Sequence, residues 1–328
     1  MTKDIQRRQV LAAIGALAAT GPLLATPALA QGTPIRVGYQ NTSWGAIAMI
    51  AAAEKTFEAA GANVQLLQFA DGKSTRDAMV SGRVDVGVLG ATPFIVGAAK
   101  SDMLALAACM YAGRTNAVVA AKDSGIKTIA DLKGKRVASQ LGSATDSVFQ
   151  NKILAKYGLG KADVQGVNVS FQNQVASLVS KSVDAFAGVE PFPSIAEVEG
   201  IGTVLVDYAD FDMQPVFLSA NRAVVDKRQP ELVKFMRGWL AAARILEKDP
   251  KRATQIVFNH FKSQGMDIKE PVVARMLSKV DADASYRPNL VQYLDESAAD
   301  LVKQKQIDAA PDWKRVLETR TAAEAARA

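Results

Sequence analysis

The chain has 328 residues, 49% of them hydrophobic and 6% aromatic, which is enough for two domains with sizeable cores. Its formal charge is +6, of which Lys3, Asp4, Arg7 and Arg8 supply +2, leaving +4 for the remainder. That mild surplus, with no Lys/Arg stripe interleaved with aromatics, argues against nucleic acid as a partner. The single Cys109 rules out an intrachain disulfide, and a lone His260 without cysteine partners argues against a zinc site.

Residues 1–30 read as an export signal. Lys3, Arg7 and Arg8 form a basic start, Val10 to Ala25 an apolar stretch, and Ala28-Leu29-Ala30 a small-residue cleavage site before Gln31. The apolar stretch is broken by Gly15, Gly21 and Pro22 and is short for a membrane span. Arg7-Arg8 resembles a twin-arginine signal, with Gln6 and Val10 departing from the usual pattern, so both export routes stay open. No cysteine follows the cleavage site to carry a lipid.

The mature chain opens with a predicted strand at 35–39, a polar turn at 40–45 and a helix at 46–60 that Gly61 ends. A strand at 64–69 follows, then a short helix opened by a capping box of Ser74 and Asp77. Residues 84–89 form an apolar run without alternation, as in a strand covered on both faces, and Thr92-Pro93 reads as the cap and first residue of a helix. Strands are expected at 104–111 and 117–121, flanking Gly113-Arg114-Thr115-Asn116. A one-turn helix at 128–132 precedes a strand at 134–139, which breaks at Gln140-Leu141-Gly142. A helix then runs from Asp146 to Tyr157. Alternation continues with strands at 167–171, 185–189, 204–206 and 216–220, and a helix at 174–180. From Pro230 the chain is helical, over 231–247, 251–261, 270–280 and 290–304, and the alanine-rich end at 322–328 is expected to fray.

Strands alternating with helices imply open α/β sheets. A short internal echo, Ser81-x-x-Val84-Asp85 and Ser180-x-x-Val183-Asp184, each leading through an apolar strand, suggests two related lobes. Ligands of such sheets bind beyond the carboxyl ends of the strands. The turns 40–45, 90–93, 142–145 and 190–193 therefore become candidates to face a shared cleft. At the third, Gly142 admits close approach, Ser143 or Thr145 can cap, and free N–H groups of the first helical turn can hold an anion. An ordinary capped connection has the same residues.

Several stretches resemble the exported substrate-binding proteins of ABC transporters in the nitrate/sulfonate/taurine group: IRVGYQ at 35–40, VDVGVLGATP at 84–93, IADLKGKRVASQLGSA at 129–144, VDAFAGVEPF at 183–192 and QPELVKFMRGWLAAARIL at 229–246. The resemblance implies an α/β type II periplasmic-binding-protein fold, two lobes with a cleft between them and C-terminal helices. Lobe one would comprise 33–116 and the return 221–328, and lobe two 117–220, with crossings near 116–118 and 219–222. It further implies a periplasmic monomer that captures a small anionic solute and passes it to a permease in the inner membrane, without cofactor or catalysis. The head group would be held at Gln40, Asn41, Thr42 and Trp44, at Ala91 and Thr92, and at Gly142, Ser143 and Thr145. Arg114 could pair with the anion or stand solvated in its loop. Trp44 could cover an apolar tail or simply pack. Glu190 is the acid at a cleft-facing turn that an ammonium would need.

The solute class most in keeping with these residues is an alkanesulfonate, with Trp44 and Phe192 against its tail. Taurine, nitrate, an aromatic carboxylate and a pyrimidine thiamin precursor are the alternatives. An enzyme akin to the thiamin-pyrimidine synthases is a different class, against which stand the export signal and the lack of a linked nucleophile and base. The effector lobe of a transcriptional regulator would need a DNA-binding helix-turn-helix before residue 35, where the signal stands.

Overall fold

The computed structural model describes residues 32–327; the export signal expected over 1–30 lies outside them. The first lobe begins with β1 (Ile35–Gln40), α1 (Ala46–Glu54), α2 (Thr56–Ala59), β2 (Val64–Phe69), α3 (Gly72–Val80), β3 (Val86–Gly90), α4 (Ala91–Lys100) and β4 (Met103–Tyr111). The chain crosses to the second lobe, which holds β5 (Asn116–Ala121), β6 (Arg136–Ser139), α5 (Ala144–Val148), α6 (Leu154–Lys156), β7 (Gln165–Asn168), α7 (Phe171–Val179), β8 (Ala185–Val189), α8 (Phe192–Val198) and β9 (Gly202–Asp207). It returns through β10 (Pro215–Asn221) into α9 (Arg222–Lys248), α10 (Pro250–Ser263), α11 (Glu270–Leu277), α12 (Leu290–Lys303), α13 (Trp313–Val316) and α14 (Arg320–Ala326).

Two five-stranded sheets result, ordered β2-β1-β3-β10-β4 and β7-β6-β8-β5-β9. Each is mixed: β10 runs antiparallel to β3 and β4, and β5 antiparallel to β8 and β9. The apolar runs β3, β4 and β8 are buried along their whole length, because helices cover both faces of the sheets. The sequence echo has a physical counterpart. Asp85 accepts from the backbone N and guanidinium of Arg36 at 2.9, 3.0 and 2.7 Å, and Asp184 does the same for Arg136 at 2.9, 3.2 and 2.7 Å. Each clasp ties the first strand of a βαβ unit to the strand that returns beside it.

Five expectations need correction. The return crossing precedes Pro215, because β10 hydrogen-bonds within the first sheet; lobe two therefore ends before 215 rather than at 220. α3 starts at Gly72 with Asp71 as N-cap, its Oδ1 accepting from Ser74 N at 2.7 Å, so Ser74 lies inside the helix. α4 starts at Ala91 with Gly90 as N-cap, placing Thr92 within the first turn. The C-terminal segment is helical and packed: α14 lies on α9, Thr321 and Ala325 are buried, and Thr321 bonds to Gln229 at 3.1 Å. The helix expected from Asp146 to Tyr157 begins at Ala144 and contains a π-turn over Phe149–Ile153.

Candidate functional site

The carboxyl ends of the parallel strands in both sheets meet at one seam. A small, nearly closed cavity lies there. Its first-lobe wall is Gln40, Thr42 and Trp44 from the turn after β1, Asp71 and Gly72 from the turn after β2, and Pro93 from α4. The opposite wall is Ser143 and Ala144 at the start of α5, Phe171 at the start of α7, and Val189 at the end of β8.

These turns are fixed before any solute arrives. Gln40 Nε2 donates to Thr75 Oγ1 at 2.8 Å and to Val88 O at 3.1 Å. Thr42 Oγ1 accepts from Trp44 N at 3.3 Å and so caps the short 3₁₀ turn Ser43–Gly45. Trp44 Nε1 donates to Thr115 Oγ1 at 3.3 Å, reaching the crossing between lobes. Ser143 Oγ accepts from Asp146 N at 3.1 Å and caps α5. At the crossing, Asn116 Nδ2 donates to Gln214 Oε1 at 3.0 Å and Thr145 Oγ1 donates to Asn116 Oδ1 at 2.8 Å, so both connecting strands hold the first turn of α5. Tyr208 OH reaches Thr145 O at 3.3 Å. Burial above all, with Asp146 and Asp212 adding to it, pushes the Tyr208 phenol well above its ordinary range, so it stays a donor.

The lobes also touch directly. Ser43 N donates to Glu190 O at 2.9 Å, and Gln140 Nε2 donates to Asp71 Oδ2. Gly90 is packed so closely that a Cβ there would stand 2.7 Å from Ala144 Cβ and 2.9 Å from the Trp44 ring. A second ring of contacts lies along α8, where Glu190, Glu197 and Glu199 pair with Lys279, Arg275 and Lys269 on and around α11.

Of the residues singled out in the sequence, Gln40, Thr42, Trp44 and Ser143 line the cavity. Asn41 is buried on the same turn, and Ala91 and Thr92 precede Pro93 without lining the cavity. Thr145 is buried against Asn116. Three others lie elsewhere. Arg114 is exposed on the 3₁₀ turn Gly113–Thr115. Gly142 is exposed at φ +81°, and its N–H is taken by Asp146 Oδ2 at 3.0 Å, so the helix supplies its own anion at that point. Glu190 is 1% exposed, and its carboxylate is engaged by Lys279, by Ser194 Oγ at 2.8 Å and by Ser194 N at 3.2 Å. Phe192 packs in the core.

The acid that does face the cavity is Asp71, which the sequence reading passed over. The signal was available, because the rule that picked four turns at strand ends applies equally to the turn after β2. Cys109 lies inside β4, where burial pushes its thiol far above the ordinary range and withholds the thiolate a nucleophile needs.

The family described as NMT1/THI5 like matches residues 45–253. The "Putative aliphatic sulfonates-binding protein" of Escherichia coli (strain K12) is 30% identical over 213 residues, which span 63% of this chain and 64% of that protein. Among solved structures, the alkanesulfonate-binding protein SsuA from Xanthomonas axonopodis pv. citri bound to MOPS superposes with a TM-score of 0.76 at 23% identity, covering 89% of this chain and 98% of that one. The periplasmic nitrate-binding protein NrtA from Synechocystis PCC 6803 gives 0.74 at 17% identity, covering 90% and 88%. The two mixed sheets, their covering helices and the crossings between them are thus the fold of these periplasmic binding proteins, and the chain belongs to the NMT1/THI5-like family.

Proposed function

We propose that the protein is an exported solute-binding protein that captures a small organosulfonate between its lobes and delivers it to an ABC permease in the inner membrane. The observation that carries this reading is the cavity at the seam, walled by both lobes and by the carboxyl ends of strands from both sheets. A solute bound there contacts both lobes only when they are together, so it favours the closed form, and the closed form is what a permease can recognise. The relatives named for sulfonates supply the solute class.

Catalysis is not part of this reading. The only thiol is buried in β4, and the only histidine lies half-buried on α10 beside Tyr39, with no acid or nucleophile among the described residues bonded to it.

Fractionation and calorimetry test the proposal together. The mature protein is expected in the periplasm with its N-terminus near Gln31. A thermal-shift panel of alkanesulfonates, taurine, nitrate, aromatic acids and pyrimidines should raise the melting temperature with the sulfonates. A ligand at a hundred times its dissociation constant adds about 2.7 kcal/mol. Cytoplasmic recovery, or a panel in which no sulfonate shifts the transition, defeats the proposal.

A further inference from the structure

We infer that Asp71, with Gln40, is the specificity determinant of the cavity and selects a solute that presents an N–H donor, so that the preferred sulfonate carries an amino group. This rests on the solute-binding reading above and refines it.

The lining is acceptor-rich and lacks cations. Among the described residues no Lys, Arg or His lines the cavity, whereas the carboxylate of Asp71 does, at 7% exposure. Its Oδ1 accepts from Ser74 N at 2.7 Å and its Oδ2 from Gln140 Nε2 across the seam. A carboxylate has about four acceptor sites, so two remain after these bonds.

Gln40 adds a second acceptor with a fixed direction. Its Nε2 donates to Val88 O, which can only accept, so the amide has one permitted orientation. Thr75 Oγ1, the other acceptor of Gln40 Nε2, donates its own proton to Asp71 O at 2.9 Å and cannot serve as donor to Gln40. The Gln40 side chain is 3% exposed and its Oε1 has no partner. On the next residue, Asn41 Oδ1 is buried and unpartnered as well.

A solute with a bare alkyl tail would leave Gln40 Oε1 unpaired and would cover Asp71 without offering it a donor, which is the costly way to bury an acceptor. An amino group satisfies both, and a protonated one also meets the charge of Asp71. The same charge repels a sulfonate from that wall, so the two ends of the solute are sorted along the cavity. Selection of this kind comes from leaving the wrong solute's pocket unpaired as much as from contacts with the right one.

Calorimetry on the full chain with three probes tests the inference. Taurine and ethanesulfonate share a skeleton and differ by the amine, and 4-aminopyrimidine has the donor without the acid. Asp71→Asn is the variant, because asparagine still caps α3 and preserves the fold; matching melting curves without ligand check this. The wild type should bind taurine at least tenfold tighter than ethanesulfonate. Asp71→Asn should remove that tenfold and leave ethanesulfonate within twofold. Ethanesulfonate binding as tightly as taurine, or taurine binding that survives Asp71→Asn, overturns the inference. If neither sulfonate binds but 4-aminopyrimidine does, and loses affinity in Asp71→Asn, the sulfonate class falls and donor selection stands. If no probe binds, both fall.

Discussion

Lys279, from the first lobe, closes over the carboxylate of Glu190 in the second, and the pair is 17% and 1% exposed. An acid that could have been held for a solute is instead part of the seam. Lys279→Met leaves Glu190 with Ser194 alone. Removing one partner of a buried pair costs about 3 kcal/mol when the other charge has nowhere to go. Here it has, because parting the lobes readmits water. The expected result is a larger radius of gyration by small-angle scattering and weaker solute binding, with little change in melting temperature. Adding Glu190→Gln to Lys279→Met should restore compactness. A single variant as compact as the wild type would refute this role.

Gly90 is a matter of space. Its φ of −68° suits any residue, so Gly90→Ala carries no backbone strain. The added methyl would meet Ala144 and Trp44 below 3.0 Å. The fold should survive, and affinity should fall at least tenfold, about 1.4 kcal/mol. Calorimetry showing wild-type affinity would mean that the lobes bind solute without approaching this closely.

At Gly142 the need is for φ. The nearest atom to a Cβ there is Lys73 Cδ at 3.7 Å, so space is available. A left-handed conformation costs a non-glycine residue about 1–2 kcal/mol. Gly142→Ala should therefore lower stability by that amount in urea titration and leave solute affinity unchanged. A selective loss of affinity would return this turn to the binding site.

His260 sets a pH dependence. Burial beside Tyr39 and Phe261 lowers its pKa below the ordinary value, and its Nε2 has no partner. The unfolded chain thus takes up a proton at higher pH than the folded one. Stability is full above about 6.5, the unfolded value, and falls as the pH drops through the window down to the lower folded value. Melting curves between pH 8 and pH 5 should show this decline, and His260→Phe should flatten it. A decline of equal size in His260→Phe would assign it to other groups.

Much of this architecture could be read from the chain. Apolar runs such as Val86–Gly90 and Ala185–Val189 announce strands covered on both faces, and the echo of Asp85 and Asp184 marks two units now seen to share an Arg–Asp clasp. What sequence could not reveal depends on partners far along the chain. Nothing in PVFLSAN says which sheet it joins, so the return crossing was expected too late. The alanine-rich α14 is polar by composition, yet it packs on α9 through the small faces of Thr321 and Ala325. α9 itself starts ahead of Pro230, with the break absorbed at Arg228, where φ is −128°. Glu190 stands at the expected turn, but only its distant partner Lys279 decides what its carboxylate does.

The indole of Trp44 lines the cavity at the seam, with its N–H on Thr115 at the crossing and its ring against Gly90. The two other tryptophans, Trp239 and Trp313, are 1% and 7% exposed and pack inside the first lobe, away from the cavity. Parting of the lobes would be expected to move one indole of the three into water and leave the others in place. The protein therefore carries an intrinsic optical gauge of its own closure. Emission from Trp44 can follow solute uptake in real time without any attached dye.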